Sequence, residues 1–70
     1  MRNDLFLKKV GNNVKKARKS QGITVRKLGE MCGLDYSNIS RFENGQKNIH
    51  LLHLKAIADV LKIEVKEMIP

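Results

Sequence analysis

The chain has 70 residues, a formal net charge of +7, and 41% hydrophobic but only 4% aromatic residues. A chain of this length forms one small domain and leaves no room for an enzyme core with a substrate cleft of ordinary volume. Its single cysteine, Cys32, cannot form an internal disulfide, which argues against a small secreted protein held together by disulfides.

The first predicted helix covers about residues 7–20. Its apolar residues recur at helical spacing and form one stripe, made of Leu7, Val10, Val14 and Ala17. The lysines of this segment fall on its other faces, where we interpret most of them as a solvated surface that contributes diffuse electrostatic attraction. Gly22 is the expected stop.

Two short helices follow, each with a recognisable beginning and end. The second is expected from Thr24, a good N-cap residue, to Cys32. The third is expected to begin at Asp35, another N-cap residue, and to end before Gly45, which supplies a left-handed stop. The pair is predicted as a two-helix unit over residues 24–44.

The connection between these two helices consists of Gly33, Leu34 and Asp35 alone. So tight a connection between short helices is the geometry of a helix-turn-helix. Gly33 can adopt a positive φ at little cost, and Leu34 can plug the turn. Gly29 is expected on the face towards the partner helix, where a larger side chain would hold the two helices apart.

The last third of the chain predicts two further helices. A fourth apolar stripe consists of Leu51, Leu54, Ile57, Ala58 and Leu61. After a turn at residues 62–64, Ile63, Val65 and Met68 suit a short fifth helix. Because no stretch alternates convincingly with a period of two, the predicted fold class is all-α, with five short helices in one domain over residues 1–70.

The positive charge is concentrated in the first two-thirds of the chain. Residues 1–47 carry eleven basic and four acidic side chains, whereas residues 48–70 carry three of each and are neutral. A one-sided basic field points to a polyanionic partner, either nucleic acid or an anionic membrane surface. A membrane-bound protein would need the apolar stripe of the first helix, which the core also needs. No segment predicts a signal peptide or a membrane span, so the cytoplasm is the expected location.

A family resemblance adds to these observations. The segment "ISRFENG" at residues 39–45 is similar to a motif of the phage-repressor and Cro-like (XRE-type) helix-turn-helix domains. The likeness extends through "VGNNVKKAR" (10–18), "GITVRKLGEMCGLDYSNISRFENGQ" (22–46) and "LLHLKAIADVLKI" (51–63). It implies a compact, lambda-repressor-like bundle of five helices that docks its third helix in the major groove of double-stranded DNA, usually as a dimer.

The resemblance assigns the base contacts to the start of the third helix, at Tyr36, Ser37 and Asn38, with Arg41 one turn further on. The chemistry of these side chains agrees, because Asn can pair bidentately with adenine and Arg with guanine. Tyr36 can stack, pack on a thymine methyl group, or reach a phosphate with its hydroxyl.

Contacts to the DNA backbone are expected at six further residues. The resemblance assigns Asn44 to a phosphate clamp at the end of the third helix, and Gln46 and Lys47 follow it in the loop as expected phosphate partners. Helix N-termini attract phosphate through free N–H groups, which adds Thr24 and Val25, and Arg26 is added for its charge. Val25 departs from the family, which often has Gln there to bridge a phosphate and the recognition helix. The backbone N–H contact can survive this change, and Arg26 or Lys27 can add charge.

Two structural roles complete the set of predicted residues. Arg18 and Glu43 match positions that form a salt bridge between the first and third helices in several relatives. Apolar residues beyond the needs of one small core predict a dimer face on the last two helices, made of Leu51, Leu52, Val60, Met68 and Ile69.

Three other groups of side chains are not expected to bind a metal or to take part in catalysis. His50 and His53 are three residues apart, but a third metal ligand is not near them in the sequence. Cys32 is most simply a small core residue. Ser37 falls on the third predicted helix and His53 and Asp59 on the fourth, and no segment forms a nucleophile turn, so a catalytic triad is not expected.

The leading hypothesis is a sequence-specific regulator of transcription, not an enzyme, without a metal, cofactor or small-molecule ligand. It would be a stand-alone repressor or controller protein of a prokaryote or phage, associated with the nucleoid and bound as a homodimer to a palindromic operator. The alternative is an antitoxin-like module that binds a protein partner, with DNA binding secondary.

Overall fold

The computed structural model describes residues 4–70, and the regular structure in that range is helical throughout. The elements in chain order are helix α1 (Asp4–Ser20), helix α2 (Val25–Cys32), helix α3 (Tyr36–Glu43), helix α4 (Leu51–Leu61) and one 3-10 turn (Val65–Glu67). The predicted all-α class is confirmed. None of these helices is long and apolar enough to cross a bilayer.

Two predicted elements differ from the structure. The fifth α-helix is wrong, because Val65–Glu67 is a single 3-10 turn closed by a capping box between Glu64 and Glu67. So short a segment forms too few backbone hydrogen bonds to offset the cost of nucleating an α-helix. Helix α1 already includes Asp4, the first described residue, and not only the residues from about 7, because solvent-exposed helical residues need no apolar stripe and an acidic residue early in a helix favours the helix dipole.

One hydrophobic core joins the four helices and the end of the chain. Its buried side chains are Val10, Val14, Leu28, Ile39, Phe42, Leu54, Ile57, Ala58, Leu61 and Met68. Cys32 is half-buried against this core, and that burial raises the pKa of its thiol. The predicted packing of α3 through Ile39 and Phe42 is confirmed, since both are almost completely buried.

Met68 does not belong to the predicted dimer face. Its side chain is 0% exposed and fills the core beside α4, because the 3-10 turn folds the chain end inwards. The Asn13 Nδ2 group donates a hydrogen bond of 2.9 Å to the Met68 carbonyl, which ties this segment to α1. Val60, another predicted member of that face, is half-buried and packs against the same core.

The crossing of α1 and α3 is very close at Gly11. A Cβ atom added to Gly11 would overlap the carbonyl oxygen of Phe42 and lie 2.8 Å from that of Glu43. These atoms belong to the backbone of α3 and cannot rotate away. Gly11 therefore sets how near the third helix lies to the first.

The turn between α2 and α3 agrees with the sequence prediction. Gly33 adopts φ 71°, and its N–H caps the end of α2. A Cβ atom on Gly29 would lie 2.8 Å from the Leu34 carbonyl oxygen and 3.1 Å from Tyr36 Cβ. Gly29 thus allows the two helices to approach, as predicted.

Candidate nucleic-acid interface

Helix α3 has a buried side and an exposed side. Ile39 and Phe42 anchor it in the core, whereas Tyr36, Asn38 and Arg41 are exposed to solvent. These three predicted base-contacting side chains are therefore accessible along the same short helix. The fourth, Ser37, is half-buried, and its hydroxyl already donates to Asp35 Oδ1 at 2.9 Å.

Asp35 fixes the start of α3. Its carboxylate accepts hydrogen bonds from the Ser37 N–H at 3.0 Å and from the Ser37 hydroxyl. These hydrogen bonds, together with the positive charge of Arg41, lower the pKa of the Asp35 carboxyl. A carboxylate at this position suits the positive end of the helix dipole.

An ion pair buried between α1 and α3 holds the other end of the helix. Arg18 Nε and Nη2 donate to Glu43 Oε2 and Oε1 at 2.8 and 2.9 Å, and Arg18 Nη1 donates to the Ile23 carbonyl at 2.8 Å. The two residues are 8% and 5% exposed. The bidentate geometry fixes the orientation of α3 as well as its distance from α1.

The beginning of α2 contains three of the residues predicted to touch the DNA backbone. The Thr24 hydroxyl caps the helix by accepting from the Lys27 N–H at 3.1 Å. Val25 is half-buried against the core, so its side chain serves packing, while Arg26 is exposed. The guanidinium of Arg26 lies over the Tyr36 ring, a contact that sequence patterns did not indicate.

The other three predicted backbone contacts, Asn44, Gln46 and Lys47, are exposed in the loop after α3. Gly45 turns the chain there with φ 74°, and Lys8 of α1 packs so closely on it that an added Cβ atom would overlap the lysine side chain. The predicted left-handed stop at Gly45 is confirmed.

A shallow cleft lies beside the exposed side of α3. His50 and His53 line it together with Asn38 and Lys47, and the two imidazole rings meet edge to face at 5.2 Å. Across residues 4–70, no group of three His, Cys, Asp or Glu side chains is arranged to hold a metal ion. The sequence did not indicate that these histidines lie beside Asn38.

Comparisons with known proteins agree with this geometry. A family model described as helix-turn-helix, HTH_3, matches residues 14–68. The restriction-modification controller protein C.AhdI from Aeromonas hydrophila superposes with a TM-score of 0.85 at 32% identity, over 89% of this chain and 94% of that chain.

Two further solved structures are similar. A mutant of the restriction-modification controller protein C.Esp1396I gives a TM-score of 0.81 at 28% identity, over 90% of this chain and 80% of that chain. The DNA-binding domain of BldD gives 0.85 at 20% identity, over 96% and 97%, and at that identity shows the fold alone. No curated protein matches the sequence.

Proposed function

The chain belongs to the helix-turn-helix family HTH_3 and is a DNA-binding regulator of transcription, and we propose that it acts as a small stand-alone repressor or controller protein. In this proposal it binds a palindromic operator as a homodimer. The likeness to a restriction-modification controller supports the controller role in particular. Because its target is DNA, its place of action is the prokaryotic or phage-infected cytoplasm.

The exposed side of α3 is the observation that carries this proposal. The helix is held by Ile39, Phe42 and the buried Glu43, yet its exposed side chains have no role in the core. Asn38 and Arg41 are the residue types that pair bidentately with adenine and guanine. Tyr36 adds an aromatic face and a hydroxyl, so this side of α3 offers several means of direct readout.

The backbone contacts follow from position and charge. In the proposed complex the beginning of α2 and the loop after α3 meet the phosphates, through Thr24, Val25, Arg26, Asn44, Gln46 and Lys47. The +7 charge supplies a long-range attraction to DNA that does not depend on sequence. Sequence preference must then come from α3.

The proposed homodimer rests on exposed apolar side chains at the start of α4. Leu51 and Leu52 are 74% and 80% exposed, and Ile69 near the chain end is also exposed. Burying them against a second copy would remove apolar surface from water. A two-fold dimer would also double the number of base pairs read, with half-sites about 34 Å apart.

Selection of DNA from a random pool tests the proposal, and the enriched site should be a palindrome.

Arg41→Ala should weaken binding to that site by about tenfold or more while changing random-duplex binding much less, because a bidentate base contact is lost. Lys47→Ala should weaken both by similar factors and reduce the salt dependence by about one phosphate contact. Fluorescence anisotropy titrations at several salt concentrations measure these changes.

Lys66→Ala is the matched control, since it removes one exposed lysine from the electrically neutral part of the chain. It should leave both affinities nearly unchanged. If the unsubstituted protein bound the selected site and a random duplex equally, the claim of sequence specificity would fail. Enrichment of an asymmetric site would instead contradict the palindromic operator.

Leu52→Glu tests the dimer separately. A charge in the centre of the proposed interface should weaken self-association by about tenfold or more, as measured by sedimentation equilibrium. Leu5→Glu, at an exposed leucine of α1, provides the control and should leave self-association unchanged. A protein that stays monomeric at all concentrations, or a Leu52→Glu variant that still dimerises normally, would refute this face.

A further inference from the structure

Arg26 and Tyr36 form a close pair across the helix-turn-helix. The Arg26 guanidinium carbon lies 4.6 Å from the centroid of the Tyr36 ring, and Arg26 Nη2 donates to the Tyr36 hydroxyl oxygen at 3.1 Å. The first residue belongs to α2 and the second opens α3, so the contact joins the two helices on their exposed side. Both residues lie where the proposed interface meets DNA.

The pair of Arg26 and Tyr36 depends on Gly29, a small residue of α2 against which Tyr36 packs. A Cβ atom on Gly29 would lie 3.1 Å from Tyr36 Cβ, so the tyrosine sits directly against the α2 backbone. Gly29 is three residues beyond Arg26, which places both on one side of α2. The Tyr36 side chain therefore lies against Gly29 and beneath Arg26, and its freedom to rotate is reduced.

The hydrogen bond has a chemical consequence for the hydroxyl. A tyrosine hydroxyl can donate one proton and accept hydrogen bonds, and here its oxygen accepts from Arg26. Its own proton remains available for an acceptor. Acceptors on DNA are the phosphate oxygens, purine N7, guanine O6 and thymine O4, whereas the amino groups of adenine and cytosine are donors.

We propose that Arg26 is a positioning residue that holds the Tyr36 ring and directs its hydroxyl to donate to an acceptor on the DNA. This role rests on the proposed function, because it assigns Tyr36 to the readout of the operator. The remaining guanidinium N–H groups of Arg26 stay free for a phosphate. The pair thereby couples a contact on the DNA backbone to a sequence-reading contact.

Tyrosine fluorescence tests the pair without DNA. Tyr36 is the only tyrosine and the chain has no tryptophan, so the intrinsic emission reports this ring alone. Arg26→Ala should roughly double collisional quenching by acrylamide, because the guanidinium covers one of the two ring faces. Arg26→Lys, which keeps the charge but lacks the planar group, should restore only part of the protection.

Lys27→Ala is the matched control for lost charge. It removes a neighbouring positive charge from α2, where Lys27 lies near Glu30 in an exposed ion pair. It should leave the tyrosine quenching unchanged. Thermal unfolding followed by circular dichroism establishes that each variant is folded before its emission is compared.

Operator binding then tests the positioning role, with the selected DNA site and a scrambled duplex of the same composition as probes. Tyr36→Phe should weaken binding to the site by about tenfold, Arg26→Ala should weaken it further because a phosphate contact is lost as well, and the double variant should bind about as weakly as Arg26→Ala alone. On the scrambled duplex, Tyr36→Phe should have little effect, and Arg26→Ala should weaken binding only by the factor of one lost phosphate contact, as Lys47→Ala does. Selection with Tyr36→Phe should relax the preference at one base pair, and a preference unchanged at every position would contradict the readout role of the hydroxyl.

The outcomes are distinguishable. Unchanged tyrosine quenching in Arg26→Ala would overturn the pair itself, whatever happens on DNA. Quenching that increases as expected, with losses on operator DNA that multiply in the double variant, would overturn the positioning role and leave the proposed function standing. If the unsubstituted protein showed no preference for the selected site, both the proposed function and the readout role of Tyr36 would fall.

Discussion

Glu43→Ala is expected to lower the free energy of unfolding by about 3–5 kcal/mol, because it leaves the Arg18 guanidinium buried without its carboxylate. Arg18 would keep only its hydrogen bond to the Ile23 carbonyl. A domain of this length is stable by roughly 4–10 kcal/mol, so the variant loses about a third or more of that stability and should unfold at a clearly lower urea concentration. Urea titrations followed by circular dichroism measure the change.

Two control variants show whether the loss of stability comes from leaving a buried charge without its partner or from breaking any ion pair. Lys55→Ala breaks an ion pair with Asp59 whose side chains are both more than half exposed, and should change stability by less than about 0.5 kcal/mol. The double variant Arg18→Met/Glu43→Leu removes both buried charges and should recover most of the loss. A loss in Glu43→Ala no larger than that in Lys55→Ala would contradict the structural role of the buried pair.

Gly11→Ala should destabilise the protein by about 1–2 kcal/mol, although alanine is the better helix former. The added methyl group would collide with the carbonyl oxygens of Phe42 and Glu43, and overpacking of this kind typically costs 1–3 kcal/mol and occasionally more. The gain in helix propensity offsets at most about 1 kcal/mol of that cost. Urea titration measures the net effect, and operator affinity should fall as well because α3 must shift.

Asn12→Ala is the control for helix propensity alone. Asn12 is exposed on α1 next to Gly11, so its replacement should be neutral or slightly stabilising. If Gly11→Ala were as stable as the unsubstituted protein, α1 and α3 would not cross as closely as the structure indicates.

Both stability predictions concern contacts that hold α3 in position. The exposed side of α3 can present Tyr36, Asn38 and Arg41 only if the opposite side is held in place. Gly11 sets the distance between α1 and α3, and the bidentate pair of Arg18 with Glu43 sets the orientation. Helix α1 thus supports α3, although none of the residues of α1 is proposed to touch a base.

Most of the fold could be predicted from local sequence. The apolar stripes identified the four α-helices, because a helix that packs on one core repeats its apolar residues at helical spacing. Thr24, Asp35 and Gly33 marked the helix ends, since capping needs a particular side chain or a positive φ within a few residues. These patterns depend on residues that are close together in the sequence, so they predict helices without knowledge of the tertiary contacts.

The wrong predictions concern residues whose conformation and burial depend on contacts with distant parts of the chain. Val65 and Met68 suited a fifth α-helix by spacing, but three residues of 3-10 turn were enough to place Met68 in the core. That burial removed Met68 from the predicted dimer face and left Leu51, Leu52 and Ile69 as its exposed members. Periodicity indicates which residues are apolar on one side, but not which neighbouring element will cover them.

The sequence by itself determined that this is a basic, all-helical domain with a helix-turn-helix whose third helix has a polar side, because composition, period and capping are local properties. Tertiary structure alone decided the close crossing at Gly11, the burial of Met68 and the stacking of Arg26 on Tyr36. Each of these depends on distances between separate elements, and those distances follow from how all the helices pack together. The positions proposed for DNA contact could be listed from the sequence, but the orientation of Tyr36 required the folded chain.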